Sequence, residues 1–281
     1  MSVSNFHVHS RFCDGDGEPE EYVAKAIGLG FRCIGFSSHA PLPFENPWTM
    51  TDGQVKEYCE EIRRLKAKYE GQIQIYLGLE VDYLPGKTGP DSQQFKKLGL
   101  DYSIGSIHFM ESRQPGEYLS IDGSDENFLK VLGGSYNGDI HSLVQDYYCR
   151  IKDMVIQHKP NIVGHFDLVK KNNSSGKYFS EEEDWYRTEI YNTLKIIAGT
   201  GTIIEVNTGG IARKYINDLY PSAWILEMCR DLHIPTMLNS DAHSPEGLTA
   251  YCKEAIQILT RLGFSQQLIL FDQCWSPVEL T

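Results

Sequence analysis

Apolar and polar positions along the chain follow two alternating spacings, and each spacing predicts a different element. Apolar residues three or four positions apart predict a helix that begins at Thr51 or Asp52 and runs to Tyr69. Short continuous apolar runs, such as residues 33–36, are typical of buried strands. By these criteria, further helices are predicted near residues 19–29, 91–98, 141–158, 181–199, 221–232 and 245–262. Further strands are predicted just before His7 and near residues 73–79, 101–107, 161–165, 202–206, 235–240 and 268–271.

The repeated order of strand and helix predicts parallel strands joined by right-handed crossovers. About seven or eight such units close a barrel more readily than they build two domains, so residues 1–281 are predicted to form a single domain. The longest stretch without a regular pattern is roughly residues 110–140. A loop is predicted there, either a lid over a binding site or a surface excursion.

Composition narrows the class of protein. The chain is 41% hydrophobic, which is enough for a sizeable core, and its net charge of −12 opposes an extended nucleic-acid groove, since such a groove needs a basic face. The sequence contains no apolar run of about 18 residues and no signal-peptide pattern, so a cytoplasmic protein without a membrane partner is expected. The seven cysteines include no CxxC pair, which favours reduced thiols.

Histidines and acids concentrate where the predicted strands end. His7 and His9 follow the first apolar run and, as alternate strand residues, project from one face. The other members of this set are His39, Glu80, His108, His165, Asp241 and His243. Imidazoles and carboxylates suit Zn, Mn or Fe(II), and Cys13 is a further but less favoured candidate ligand. Eight such ligands are enough for more than one ion, which predicts a multinuclear metallohydrolase on a barrel-like scaffold.

Seven short segments together resemble a known family. They are residues 6–10 (FHVHS), 35–41 (GFSSHAP), 78–83 (GLEVDY), 104–109 (IGSIHF), 163–168 (VGHFDL), 205–210 (EVNTGG) and 239–243 (NSDAH). They are similar to the motifs of the polymerase and histidinol phosphatase (PHP) superfamily, and most similar to its histidinol-phosphate phosphatase branch. The resemblance implies an α/β fold, a distorted (β/α)7 TIM-like barrel with the metal site at the carboxyl ends of its strands. It also implies hydrolysis of L-histidinol phosphate, a step of histidine biosynthesis.

The resemblance further implies three divalent metal ions, with zinc expected and manganese or iron as alternatives. The first ion is expected on His7, His9, Glu80 and Asp241, the second on Glu80, His108 and His165, and the third on His39 and His243. Members of the family usually add a ligand to the third ion, often a histidine, from the loop after the first two histidines. This chain has no histidine there, and Asp14 is the expected substitute, with Asp16 as the alternative.

The expected mechanism is attack on phosphorus by a metal-bridged hydroxide. Two ions bridged by Glu80 would lower the pKa of bound water from about 15.7 towards about 7. Arg213 is expected to hold phosphate oxygens, because its planar fork suits them, and Lys170 or Lys171 is a further candidate. Asp14 is a candidate proton donor to the leaving group. Candidates for contacts with the imidazole and amine of the substrate are Phe12, Trp48, Phe109 and Glu117.

Other functions stay open on the sequence alone. One is a phosphoesterase that acts on sugar phosphates, nucleotides or phosphotyrosine. Another is a non-catalytic PHP module of a larger machine, and a third is a nuclease, which the acidic charge disfavours. The expected partner is a small phosphorylated substrate, without nucleic acid or membrane, and a homo-oligomer is left open.

Overall fold

Seven parallel strands form the central sheet of the computed structural model, which describes residues 4–280. Residues 1–3 and 281 of the predicted single domain lie outside the described residues. In chain order the strands are β1 (Ser4–Asn5), β2 (Cys33–Phe36), β3 (Gln74–Asp82), β4 (Tyr102–Ser106), β5 (Phe109–Glu111), β6 (Tyr118–Ser120), β7 (Ile162–Val163), β8 (Ile203–Asn207), β9 (Thr236–Asn239), β10 (Gln266–Phe271) and β11 (Cys274–Glu279).

The sheet order is β1-β2-β3-β4-β7-β8-β9, and all neighbouring pairs are parallel. A further parallel bridge between Val8 and Ala242 joins the segments that follow β1 and β9, the two outermost strands of the sheet. Its hydrogen bonds run from the backbone N–H of His9 to the carbonyl of Ala242 at 2.8 Å, and from the N–H of Ala242 to the carbonyl of His7 at 3.0 Å. The sheet therefore curls into a nearly closed, distorted (β/α)7 TIM-like barrel, which confirms the predicted fold class.

Helices fill most connections between the barrel strands. They are α1 (Pro19–Gly28), α2 (Asp52–Lys68), α3 (Gln93–Lys96), α4 (Asp125–Tyr136), α5 (Ile140–Gln157), α6 (Asp184–Ala198), α7 (Gly209–Ala212), α8 (Ala223–Asp231) and α9 (Cys252–Arg261). Thr51 begins α2 with a capping box, since its Oγ1 accepts from the N–H of Gln54 at 3.4 Å and its own N–H donates to Gln54 Oε1 at 2.9 Å. No helix among the described residues is long and apolar enough to cross a membrane.

Three local predictions were wrong. The stretch predicted as a loop at roughly 110–140 contains α4 and the antiparallel hairpin β5–β6. The single helix predicted at 245–262 is a 3₁₀ turn (Pro245–Thr249) followed by α9, because Tyr251 between them adopts a φ of 55°. The strand predicted near 268–271 is present as β10, but the expected parallel pairing is wrong there, because β10 and β11 form a separate antiparallel pair.

Large side chains fill the barrel interior. The ring of Tyr102 lies 5.6 Å from that of Phe6, and its hydroxyl donates to the carbonyl of Phe6 at 2.6 Å. Gly35 and Gly78 leave the space for this ring, since a Cβ on either would lie within 2.5 Å of a Tyr102 side-chain atom. Trp275 of β11 packs on Phe6 with the ring centroids 6.2 Å apart. The interior is thus a packed core that fixes the strand ends from which the histidines project.

Candidate metal centre

Glu80 lies near the carboxyl end of β3 with only 1% of its surface exposed. Its two oxygens are surrounded by imidazole nitrogens. The contacts are His165 Nε2 at 2.8 Å, His39 Nδ1 at 3.0 Å, His7 Nε2 at 3.1 Å, and His9 Nε2 and His108 Nε2 at 3.5 Å. Different histidines approach each oxygen, which is the arrangement that a carboxylate bridging two cations requires.

Potential ligand atoms within 4.8 Å of one another form four overlapping groups among the described residues. These groups are His7, His9 and Asp241; His7, Glu80 and His165; His39, Glu80 and His108; and His9, Asp14, His39 and His243. The nine residues expected from the resemblance are therefore brought together. Asp14, rather than Asp16, joins the last group, with one oxygen 3.3 Å from His243 Nε2.

Several buried histidine ring nitrogens are placed so that their lone pairs can bind a cation. His9 Nε2 and His39 Nδ1 are buried, and although both lie near Glu80 Oε2, neither has hydrogen-bond geometry to any described residue. The Nε2 atoms of His108 and His165 face each other at 3.2 Å. Asp82 accepts from Nδ1 of His108 at 3.0 Å, which directs the lone pair of the other nitrogen towards Glu80. This donor set of imidazoles and carboxylates fits zinc, manganese or iron(II).

The charges of the carboxylates suit metal binding. Burial by itself would raise the pKa of Glu80. The surrounding histidines, of which His7 has the largest effect, outweigh burial and hold this pKa well below its usual range. Burial likewise opposes ionisation of Asp14, and His243, His39 and His9 together keep its pKa low. Burial lowers the pKa of His39 to about 3, which leaves this imidazole neutral. Both carboxylates are therefore ionised and His39 retains a free lone pair.

Two imidazoles hold an extra proton in the absence of a cation. Burial opposes a charge on His7, but Glu205, Asp241 and Glu80 outweigh it and raise its pKa well above the usual value. Burial also opposes a charge on His108, and there Asp82 and Glu80 raise the pKa to about 10. A metal ion would replace these protons.

Arg213 follows α7 and contacts two candidate ligands. Its Nη2 donates to Asp241 Oδ2 at 2.7 Å, and its Nη1 lies 3.0 Å from the carbonyl of Asp241 and 2.8 Å from His243 Nδ1. The side chain keeps 30% exposure and lines the cavity. Arg213 therefore both holds these ligands and presents positive charge to the cavity.

A cavity of about 600 Å³ opens above the clustered ligands. On one wall the ring of Trp48 stacks on Phe109 at 5.3 Å and meets the ring of His39 edge-on at 4.6 Å. On another wall Lys171 Nζ donates to Asp122 Oδ1 at 2.7 Å. The cavity thus offers an aromatic surface and a carboxylate in addition to the ligand cluster.

Phe109, another expected substrate contact, is 3% exposed and stacks on Trp48 without lining the cavity itself. Three other expected substrate contacts lie away from this cavity. Lys170 is 5% exposed, and its ammonium contacts Asp167 at 2.8 Å and the carbonyl of Leu219 at 2.9 Å. Phe12 is 3% exposed and packs edge-on against Tyr58 in the core. Glu117 lies between β5 and β6 and is not among the residues that line the cavity.

Sequence reasoning missed the acids that support the ligands. Asp82 bonds His108, and Glu205 Oε1 lies 2.6 Å from Nδ1 of His7. Asp82 could have been found, because it lies two residues after Glu80 and so projects from the same face of β3. Glu205 gave no comparable signal, since its strand carries no candidate metal ligand.

The barrel and its clustered imidazole and carboxylate ligands define a metal-binding barrel protein. The PHP domain model matches residues 5–209, and the chain belongs to this family. The histidinol-phosphatase of Bacillus subtilis is 31% identical over 270 residues, which cover 91% of this chain and 98% of that protein, and the match supports the histidinol-phosphatase branch.

Solved structures share the fold. The histidinol phosphatase candidate HisK of Listeria monocytogenes superposes with a TM-score of 0.73 at 25% identity, covering 89% of this chain and 99% of that one. The histidinol phosphate phosphatase of Lactococcus lactis, in complex with zinc, L-histidinol and phosphate, superposes with a TM-score of 0.71 at 20% identity, covering 97% of this chain and 98% of that one.

Proposed function

We propose that residues 1–281 form one metal-dependent phosphatase domain that hydrolyses L-histidinol phosphate to L-histidinol and phosphate. The observation that carries this proposal is the group of six histidines and two further acids gathered around Glu80 below an open cavity. The histidinol-phosphatase of Bacillus subtilis, which is similar along nearly its whole length, supports the choice of substrate.

The proposed centre holds three divalent ions, with zinc as the expected metal. Glu80 would be shared between a position held by His7, His9 and Asp241 and a position held by His108 and His165, since His7 and His9 face its Oε2 and the other two histidines face its Oε1. His39, His243 and Asp14 would hold the third position. When bound, these metals supply Lewis acidity that polarises the phosphoryl group and acidifies water.

The chain itself contributes charge and position around the phosphate. The guanidinium of Arg213 lines the cavity beside Asp241, where its positive charge attracts phosphate oxygens while both of its terminal nitrogens also hold Asp241. Asp14 stays ionised because its neighbouring histidines hold its pKa low. It therefore suits the role of a ligand better than that of a proton donor.

The outer cavity suits the rest of the substrate. L-Histidinol carries an ammonium group and an imidazole. The Asp122 carboxylate on the cavity wall is an acceptor for the ammonium group, and Trp48 offers a flat face to the imidazole. Lys171, which pairs with Asp122, sets the position of that carboxylate.

The test is phosphate release from L-histidinol phosphate by purified protein whose metal content is quantified in the same sample. Metal-free protein is the control, and p-nitrophenyl phosphate, a sugar phosphate, a nucleotide and phosphotyrosine are the competing substrates. We expect two to three metals per chain and the highest kcat/KM for L-histidinol phosphate. If that substrate is turned over no better than p-nitrophenyl phosphate, the proposed specificity is refuted. Bound metals without turnover of any ester would instead support a non-catalytic module.

A further inference from the structure

Glu205 on β8 is completely buried beside the candidate metal centre, yet it belongs to none of the ligand groups among the described residues. Both of its oxygens are occupied by hydrogen bonds. Oε1 contacts His7 Nδ1 at 2.6 Å and Asn239 Nδ2 at 3.0 Å. Oε2 accepts from the backbone N–H of His165 at 2.9 Å and from Asn207 Nδ2 at 3.0 Å. The carboxylate therefore faces four donors.

The first pair of contacts determines which nitrogen of His7 can bind a cation. An ionised carboxylate only accepts hydrogen bonds, so Nδ1 of His7 must carry the proton that points at Glu205. In the neutral ring, Nε2 then keeps its lone pair. That nitrogen faces Glu80 Oε2 at 3.1 Å and Asp241 Oδ1 at 3.7 Å, in the centre of the ligand cluster.

The second pair of contacts holds the backbone of another candidate ligand. His165 has a φ of 21°, which is uncommon for a residue other than glycine. Glu205 accepts the N–H of this residue, while the His165 ring reaches Glu80 Oε1 at 2.8 Å. Asn207 and Asn239 hold the carboxylate itself, so its two oxygens stay directed at the two histidines.

We propose that Glu205 is a positioning residue of the metal centre. One carboxylate fixes the tautomer of His7 and the backbone of His165, so that ligands of two neighbouring metal positions are oriented together. This inference rests on the proposed metal-dependent function. The alternative is a purely structural role, in which Glu205 only ties β8 to Asn239 at the end of β9.

The substitution Glu205→Gln separates these two roles. The amide has nearly the same shape, but it offers one acceptor oxygen, and its NH₂ group would face two of the four donors. We expect the zinc affinity of the folded variant to fall about 10- to 100-fold, as for other groups that support metal-bound histidines. The matched control is Glu189→Gln on α6. Glu189 Oε1 lies 2.7 Å from Lys152 Nζ, and neither residue lines the cavity.

Zinc affinity is measured by competition with a chelator, and the cobalt-loaded protein provides an absorption spectrum of the ligand geometry. We expect a weakened affinity and an altered spectrum in Glu205→Gln only. If the folded variant keeps wild-type zinc affinity and the wild-type cobalt spectrum, Glu205 has a structural role and the inference is overturned. The proposed function would survive that result, because turnover and metal content of the wild-type protein test it separately. A wild-type protein that binds no zinc would overturn both.

A measurement on the wild-type protein covers the case in which Glu205→Gln does not fold. Nitrogen-15 NMR of the histidine rings in the zinc-loaded protein reports which ring nitrogen carries a proton. We expect His7 to be protonated at Nδ1 and free of a proton at Nε2. The opposite tautomer would overturn the inference.

Discussion

Replacement of Arg213 by lysine is expected to lower kcat/KM for L-histidinol phosphate. The guanidinium uses two nitrogens, with Nη1 3.0 Å from the carbonyl of Asp241 and 2.8 Å from His243 Nδ1, and Nη2 2.7 Å from Asp241 Oδ2. Lysine keeps the charge but presents one nitrogen, so at least one of these contacts is lost. A hydrogen bond to a charged group contributes about 1.5–3 kcal/mol, which corresponds to a roughly 10- to 150-fold lower kcat/KM.

The assay for Arg213→Lys is the steady-state rate of phosphate release, with the zinc content of each preparation measured in parallel. Arg213→Met, which also loses the charge, is expected to be slower still and to retain less metal, because Asp241 loses its partner. Arg261→Met is the control. Arg261 lies on α9, and among the described residues its side chain donates a hydrogen bond only to the carbonyl of Gln257. Wild-type kcat/KM in both Arg213 variants would refute the role given to this side chain.

Three further predictions address separate parts of the site. Asp14→Asn removes the negative charge beside His39 and His243, and we expect this variant to bind one metal fewer per chain in elemental analysis. An unchanged metal content would contradict the role of Asp14 as a ligand. Asp122→Asn is expected to raise KM for L-histidinol phosphate about 10-fold and to leave p-nitrophenyl phosphate unaffected, since only the former carries an ammonium group; equal effects on both would exclude that contact. Zinc binding to metal-free protein at pH 7 is expected to release protons, because the pKa of His7 lies well above its usual value and that of His108 is about 10. Zinc affinity should therefore rise with pH, and calorimetry in buffers of different ionisation enthalpy counts the protons; a count of zero would contradict the prediction.

The ligand cluster was predictable because it depends on local geometry. His7 and His9 lie on either side of Val8 in the segment that follows β1, and Asp241 and His243 lie on either side of Ala242 in the segment that follows β9. Strand periodicity predicts that His7 and His9 share a face, whereas Asp241 has a φ of 51° and departs from strand geometry, so that only its place after a strand end was predictable. The repeated order of strands and helices then brings the strand ends together, because parallel strands present their carboxyl ends at the same rim.

The direction of side chains in the connecting segments was not predictable in this way. Lys170 and Lys171 are neighbours in sequence, yet Lys170 turns inwards to Asp167 while Lys171 lines the cavity. Partners distant in sequence decide between these directions, such as Leu219, whose carbonyl accepts from Lys170. The hydrophobic periodicity of the sequence carries no information about such distant partners.

Helix α4 was missed for a different reason. Its buried residues Phe128, Val131 and Leu132 have helical spacing, but they form a short pattern that two glycines, Gly133 and Gly134, follow at once. Glycine disfavours a helix interior, so the local signal was weak. Packing of this helix against the rest of the core supplies the stability that its sequence lacks.

The bridge between Val8 and Ala242 has a consequence for the order of events during synthesis. His7 and His9 leave the ribosome well before Asp241 and His243, which lie more than 230 residues further along the chain. A nascent chain that stops before the last barrel strand therefore cannot hold the complete set of ligands. Metal capture by the full set would then mark a barrel whose first and last strands have met.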